Sequence, residues 1–536
     1  MKTKTLLLFL AAVLCVSVYF AGLGDYGFID PDEGRYSEIP REMIETGDFI
    51  TPRLNYVKYF EKPIMHYWLT AASFMAFGQN EFAGRFAPVT LGLLGCVITF
   101  LLAKRITKDS RAALVSAMIL ASSVLWYSIS RLNITDMTLT FFFTASLYFF
   151  RLWVDDVERK LWLIIFYVCM ALAVMSKGLI GVVIPGGIAV VYSVLTGQAK
   201  KILTRIFSPA AIIIFFAVNA IWFVPVCMAN HDFFEFFFVR EHFLRYTTTI
   251  HERWQPFWFF GPVLIAGFVP WTGLIVDAFR AIAGKCRLID KKDGIFLGLW
   301  FLMPFVFFSL SGSKLVTYIL PCLPPLAVLA GSSLAAMEGR DFKLFIVIST
   351  VLLVPLAVTG LLWPRFTDDV DVIAMMYPAM LLGMSLLIFW AVSLLLIKNN
   401  RVVMLLCFMG LVIMYSASGA FKVEGQLLSH KDTAETIKTI DGIDDVVVYQ
   451  KLMQGMNYYL ARRTVTADII DELEFGAAQE TNPKWFISYD ELRALWKSPK
   501  HIAAVARSKY IYSLKEALGE PVRQWVNSAD VVFTNF

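Results

Sequence analysis

Charge is scarce in this chain. Of its 536 residues, 17% are Asp, Glu, Lys or Arg and 58% are hydrophobic, against about 25% and 45–50% in soluble domains. Soluble globular, disordered and collagen-like classes are excluded together. Cysteine is sparse and unpatterned. Six of the seven (Cys15, Cys96, Cys169, Cys227, Cys322, Cys407) lie inside apolar stretches, Cys286 sits in a basic loop, and none follows residue 421. Without C-x-x-C or Cys/His spacing there is no disulfide scaffold and no thiolate zinc site. A Walker A pattern is missing, so ATP-driven transport has no support. Gly22-Leu-Gly-Asp-Tyr-Gly27 matches G-x-G-x-x-G but ends an apolar helix instead of joining strand to helix, which excludes dinucleotide binding. No internal repeat or low-complexity tract occurs. The net charge of +5 falls on Lys and Arg that flank apolar runs, so it does not indicate nucleic acid. What remains is a polytopic membrane protein.

A spanning helix needs roughly 20 apolar residues. Thirteen runs qualify, near 5–24, 83–103, 112–128, 134–153, 161–176, 178–196, 208–228, 257–279, 294–310, 315–336, 344–363, 373–397 and 402–421. The first, preceded by Lys2 and Lys4, resembles a signal peptide with a small-residue site at Ala21-Gly22; it is expected to be retained. One set of connections is short and basic, among them Lys104/Arg105/Lys108/Arg111, Lys200/Lys201/Arg205 and Arg280/Lys285/Arg287. The positive-inside rule makes these cytoplasmic. Segments 25–82 and 229–256 and the stretch from 422 onward then lie outside, as the parity of thirteen spans also requires.

The outer segments are amphiphilic. The apolar run Pro63–Phe77 is about 15 residues, too short to cross and suited to an interfacial or re-entrant helix. Phe233-Phe-Glu-Phe-Phe-Phe-Val-Arg240 is similarly aromatic. Residues 1–421 are expected to form the membrane domain and 422–536 a small soluble α/β domain. Its strands should fall at Asp445–Tyr449, Lys484–Ser488 and Val531–Phe533, with helices near 489–497 and 513–519.

Ionisable residues at membrane depth cost about 2.5–3.5 kcal/mol each, so each needs a reason. Asp30, Asp32, Glu33, Arg35, Glu61, Lys62, Asp136, Lys177, Glu241, His242, Arg245 and Lys314 all fall on the outer side. That concentration predicts a shared polar cavity. Lys62, Lys177, Arg245 and Lys314 suit a phosphate group; the carboxylates suit a general base or a hard cation. Mutual neutralisation in salt bridges is the plain alternative for any one of them.

Asp30-Pro-Asp-Glu-Gly-Arg-Tyr-Ser-Glu-Ile-Pro-Arg-Glu-Met43, Gly47-Asp48, and Tyr59-Phe-Glu-Lys-Pro-Ile64 with Tyr67-Trp68 closely resemble the first outer segment of the lipid A aminoarabinose transferases. These sit within the polyprenyl-phosphate-sugar glycosyltransferases, which include the protein O-mannosyltransferases. Ser176-Lys-Gly178, Glu241-His-Phe-Leu-Arg245, Pro256-Phe-Trp258, Pro270-Trp271 and Ser313–Pro321 continue the resemblance in order, from about residue 5 to 336. It weakens through the last spans and the C-terminal region.

The resemblance implies a GT-C membrane glycosyltransferase of about 13 transmembrane helices, multi-pass in the bacterial inner membrane. Its active site and C-terminal domain would face the periplasm. The donor would be a sugar, 4-amino-4-deoxy-L-arabinose, on undecaprenyl phosphate, the acceptor lipid A, and no nucleotide cofactor would be needed. Asp32 would be catalytic and Asp136 a second acidic site residue. Arg35, Tyr36, Tyr59, Lys62 and Arg245 would surround the donor phosphate, alongside the outer cations Lys177 and Lys314. Glu61 and His242 would be ligands of a divalent metal, zinc by preference. A relative moving another sugar, such as mannose, onto protein or another glycolipid is the nearest alternative. A flippase for lipid-linked sugars is the alternative from another class, although transporters favour internal repeats and midplane broken helices.

Overall fold

A computed structural model describes residues 2–237, 254–338, 342–362, 375–397, 402–527 and 530–536. Glu241, His242 and Arg245 lie outside the described residues. Two compact units emerge, one of Met1–Ala21 with Pro88–Ala420 and one of Gly22–Ala87 with Phe421–Phe536. The first outer segment thus folds together with the C-terminal region.

In the first unit each apolar run from 88 to 420 lies on a helix or a bent helix pair. Over the whole chain, nine helices among the described residues are long and apolar enough to cross a membrane, or up to eleven if each bent pair is one span. Lys2–Phe20 and Ile180–Leu195 carry the two remaining runs as shorter apolar stretches. Two expected straight spans are broken. Ser110–Ala121 and Val124–Ser130 meet at 64°, where the hydroxyls of Ser122 and Ser123 donate to the Met118 and Ile119 carbonyls at 2.6 Å. Such back-bonding bends helices by competing with the backbone ladder. Phe260–Gly267 and Thr272–Ile282 turn by 119° around Pro270, which cannot donate to the ladder.

The Val316–Ala336 span is almost wholly buried, while Pro209–Ala229 exposes Ile213, Phe216, Ile221, Val224 and Met228, as a lipid-facing helix does. Arg131, buried at the break after Val124–Ser130, donates to the carbonyls of Val18 (3.2 Å), Tyr19 (2.7 Å) and Ala21 (2.9 Å). One guanidinium therefore satisfies carbonyls left unpaired at the end of the Lys2–Phe20 helix and complements its negative pole.

The second unit is α/β. Its short hairpin pairs β1 (Arg53–Leu54) with β2 (Val57–Lys58). A six-stranded sheet follows, built from β3 (Asp445–Tyr449), β4 (Val465–Ala467), β5 (Phe486–Ile487), β6 (Ile502–Arg507), β7 (Arg523–Val526) and β8 (Asp530–Thr534) in the order β5-β4-β3-β6-β8-β7. The first four strands of that order run parallel and the β6-β8-β7 edge antiparallel. Alternation along the strands makes two cores. Val446, Val448, Ala503, Val505 and Val532 pack with Phe28, Phe74 and Met456. Val447, Tyr449, Ile502, Ala504, Val531 and Phe533 pack with Leu492, Trp496 and Leu514. The first outer segment thus closes one face of the sheet.

That segment is held by buried charge. Arg85, fully buried, grips Glu33 through Nε (2.8 Å) and Nη2 (2.7 Å) and donates to the carbonyls of Leu23, Tyr26 and Gly27. Asp30 accepts from the Gly455 amide at 2.9 Å and lies 3.3 Å from His430 Nε2; His430 Nδ1 lies 2.6 Å from Asp530. Burial pushes the Asp30 carboxyl up to about 6, against the pull of His430 and the Gly455 amide.

Candidate active site

The second unit carries the candidate site on the helix Asp32–Thr46 and on the stretch after the hairpin. Positions i, i+3 and i+4 share a helix face, which groups Asp32, Arg35 and Tyr36 in the first turn. A carboxylate at that end meets the positive pole of the helix. The hairpin between β1 and β2 turns on Asn55 (φ 53°) and Tyr56 (φ 62°), the left-handed pair that a two-residue turn of this twist requires. Glu42 holds the costly Tyr56 conformation by accepting from its amide at 3.1 Å, and the Tyr56 hydroxyl donates to Glu45 at 2.6 Å. The return strand then delivers Tyr59, Glu61 and Lys62 beside the helix. Met65–Phe77 forms a 13-residue helix, about 20 Å long and too short to cross.

Arg35 is the hub. Its side chain is 7% exposed; Nη1 donates to the Tyr59 hydroxyl at 2.8 Å and is ion-paired with Glu472 Oε2 at 2.5 Å. Nη2 donates to Asp32 Oδ1 at 3.1 Å, and Glu61 Oε2 lies 4.0 Å from Nη1. Lys62 Nζ sits 3.7 Å from Glu61 Oε2 and donates to the Glu61 carbonyl at 3.1 Å. Tyr36 and Tyr59 flank the guanidinium, ring centroids 5.5 and 5.9 Å from Cζ. Burial pushes the Tyr59 hydroxyl well above its ordinary range. Asp32 differs from its neighbours, since 58% of its side chain remains exposed. His66 is buried edge-to-face against Tyr36 at 5.6 Å, an aromatic packing role.

Six of the expected residues therefore come together here: Asp32, Arg35, Tyr36, Tyr59, Glu61 and Lys62. Glu472, on the Asp471–Leu473 turn, joins them unannounced by the sequence, because an acid in a soluble region looks like ordinary solvated charge. Gln454 fixes it, donating from Nε2 to Glu472 Oε1 at 2.5 Å. In the helical unit, Lys177 Nζ meets Asp136 Oδ1 at 2.6 Å and lies 4.9 Å from the Tyr318 ring centroid. Lys314 donates to the carbonyls of Ser311 (2.6 Å) and Gln255 (2.8 Å), and burial holds its ammonium below its ordinary range.

The neighbours of Glu61 bear on the expected metal. Its carboxylate faces two cations, Lys62 and Arg35, and among the described residues no three His, Cys, Asp or Glu side chains converge as a metal site. His242, the other expected ligand, lies outside the described residues.

The model for dolichyl-phosphate-mannose-protein mannosyltransferases matches residues 2–239, and that for the aminoarabinose transferase C-terminal domain matches 437–534. ArnT from Cupriavidus metallidurans, solved bound to undecaprenyl phosphate, superposes with a TM-score of 0.88 at 27% identity, covering 99% of this chain and 98% of that one. The chain has the GT-C fold. The GT-C likeness thus extends through the C-terminal region, where the motifs alone fade. An archaeal oligosaccharyltransferase, AglB from Archaeoglobus fulgidus, shares the fold at a TM-score of 0.54 and 14% identity, covering 96% of this chain and 70% of that one. Curated relatives named undecaprenyl phosphate-alpha-4-amino-4-deoxy-L-arabinose arabinosyl transferase come from Photorhabdus laumondii (32% identical) and Pseudomonas fluorescens (36% identical). Each match covers about 60% of this chain and spans less than two thirds of the relative, 58% and 57%.

Proposed function

We propose that this protein transfers 4-amino-4-deoxy-L-arabinose from undecaprenyl phosphate to lipid A at the periplasmic face of the bacterial inner membrane. The observation that carries the reading is the Asp32–Arg35–Tyr59–Lys62 constellation on the first outer segment of a chain whose fold matches ArnT end to end. In the transfer an acceptor oxygen bonds to the anomeric carbon while the bond from that carbon to the donor phosphate breaks. The electron pair leaves with the lipid phosphate, and negative charge builds there. Arg35 and Lys62, fixed in a poorly solvated site, stabilise that charge; one such contact is worth about 10²–10³ in rate by analogy with an oxyanion donor. A hydroxyl acceptor would surrender its proton to Asp32, the most exposed carboxylate of the group. A phosphate acceptor is already ionised, and Asp32 would then hold the donor's amine. Asp136 and Lys177, paired in the helical unit, are proposed as a further acid–cation pair, and Lys314 and Arg245 as phosphate-binding residues. Glu61 serves this reading as the partner of Lys62.

Mass spectrometry of lipid A from cells with and without the gene tests the proposal; a mass shift of one aminopentose is expected. The match to the mannosyltransferase model favours a second reading, mannosyl transfer to protein. Labelled donor entering protein and never lipid A would establish that reading instead. Donor turnover by purified protein in detergent, where nothing can be transported, separates both transferases from a flippase.

A further inference from the structure

We infer that Glu472 is a placeholder for the lipid phosphate: it pairs with Arg35, must yield when the donor binds, and returns to displace the product. This rests on the reading above and adds a positioning residue to it. Nη1 of Arg35 donates to the Tyr59 hydroxyl at 2.8 Å and is ion-paired with Glu472 Oε2 at 2.5 Å. Nη2 already serves Asp32. Nε of Arg35 is buried without a hydrogen-bond partner among the described residues, whereas a phosphate oxygen that approaches Nη1 meets the Glu472 carboxylate there.

Charge identifies the partner that leaves. Asp32, Glu61 and Glu472 lie within 4.0 Å of Arg35, so three carboxylates surround a site that offers two cations, Arg35 and Lys62. Such a site repels an anion until one carboxylate withdraws or takes a proton. Asp32 is covalently placed three residues away on the same helix turn, and Glu61 is shared with Lys62. Glu472 comes instead from a separate turn, 437 residues along the chain from Arg35, and is held by the neutral Gln454 amide. Burial pushes its carboxyl above the ordinary range, against the pull of Arg35.

The same competition bears on turnover. The donor is a phosphodiester with one negative charge, whereas the departing undecaprenyl phosphate is a monoester approaching two near neutral pH. Without a competing carboxylate, Arg35 and Lys62 would hold the product harder than the substrate. Returning Glu472 to Arg35 speeds release.

The test compares wild type with Glu472→Gln, which keeps the shape and loses the charge, and with Glu472→Ala. Undecaprenyl phosphate binding and steady-state turnover are measured on the full-length protein in detergent. Both variants should bind undecaprenyl phosphate about tenfold tighter, the scale of one charge-assisted hydrogen bond removed from competition. KM for the donor should fall and kcat should fall with it, a split that a merely structural defect does not produce. Equal or weaker product binding in the variants overturns the inference, as does failure of both variants to fold. Wild-type protein that binds no undecaprenyl phosphate at all would instead overturn the underlying function.

Discussion

Replacing Lys62 by Ala removes an ammonium that lies 3.7 Å from the Glu61 carboxylate and donates to its neighbour's carbonyl. Neither contact ties two elements of the fold together, so Lys62→Ala should retain its thermal midpoint while kcat/KM drops about 10²–10³-fold. Asp32→Asn should likewise fold and lose transfer. Lys500→Ala, which breaks only a half-exposed pair with Asp445, should be near neutral, within about 0.5 kcal/mol and without change in rate. Donor turnover with parallel melting curves checks all three. Arg85→Met is the contrasting case: it strands a buried Glu33 and three carbonyls, and should cost about 3–5 kcal/mol. Much of this site was legible beforehand, because charges in a chain otherwise so apolar need a reason to be there. Glu472 was not, since nothing in Asp471-Glu-Leu-Glu474 distinguishes a hub partner from a solvated acid.

Two helices of the second unit approach closely enough to exclude a methyl group. A Cβ at Gly34 would fall 1.8 Å from Asp30 Oδ1 and 2.5 Å from the Gly455 amide. Gly34→Ala should therefore push the Asp32–Thr46 helix off Gln454–Leu460, lowering stability by about 1–3 kcal/mol and disturbing Arg35 with it; hydrogen exchange at 32–46 would show faster opening. The membrane helices were readable because an apolar run of about 20 residues matches the thickness of a bilayer core and is costly to leave in water. Their breaks were not, since paired serines and a lone Pro leave mean hydropathy unchanged. In the sheet, β3 and β8 announced themselves through consecutive valines. β6 did not: Ile502-Ala-Ala-Val-Ala-Arg507 is alanine-rich, and alanine favours helix. Its central place follows from neighbours that sequence alone does not reveal, β3 on one side and β8 on the other.

Because Phe28 and Phe74 belong to the same core as Val446, Val505 and Met456, residues 22–87 cannot complete that core without the sheet. Deleting 422–536 should leave the segment open to limited proteolysis near Arg35 and Arg53 and abolish transfer. Acidity bears on the same unit. Asp30 is pushed from 3.8 to about 6, so the folded state binds a proton the unfolded chain has lost. Its contribution is complete below about pH 4 and fades as pH rises through 6, by up to about 3 kcal/mol at 1.36 kcal/mol per unit. Asp530, held below its ordinary range by His430, Arg507 and Thr433 in spite of burial, acts oppositely and loses its contribution as pH falls below about 4. Asp30→Asn should gain stability relative to wild type between pH 4 and 6, read from melting curves across that range. The guanidinium at the end of the first helix has a consequence for biogenesis. Arg131 is synthesised 113 residues after Val18, about 6–23 s later at 5–20 residues per second. Throughout that interval the carbonyls of Val18, Tyr19 and Ala21 lack the guanidinium that pairs them in the finished fold.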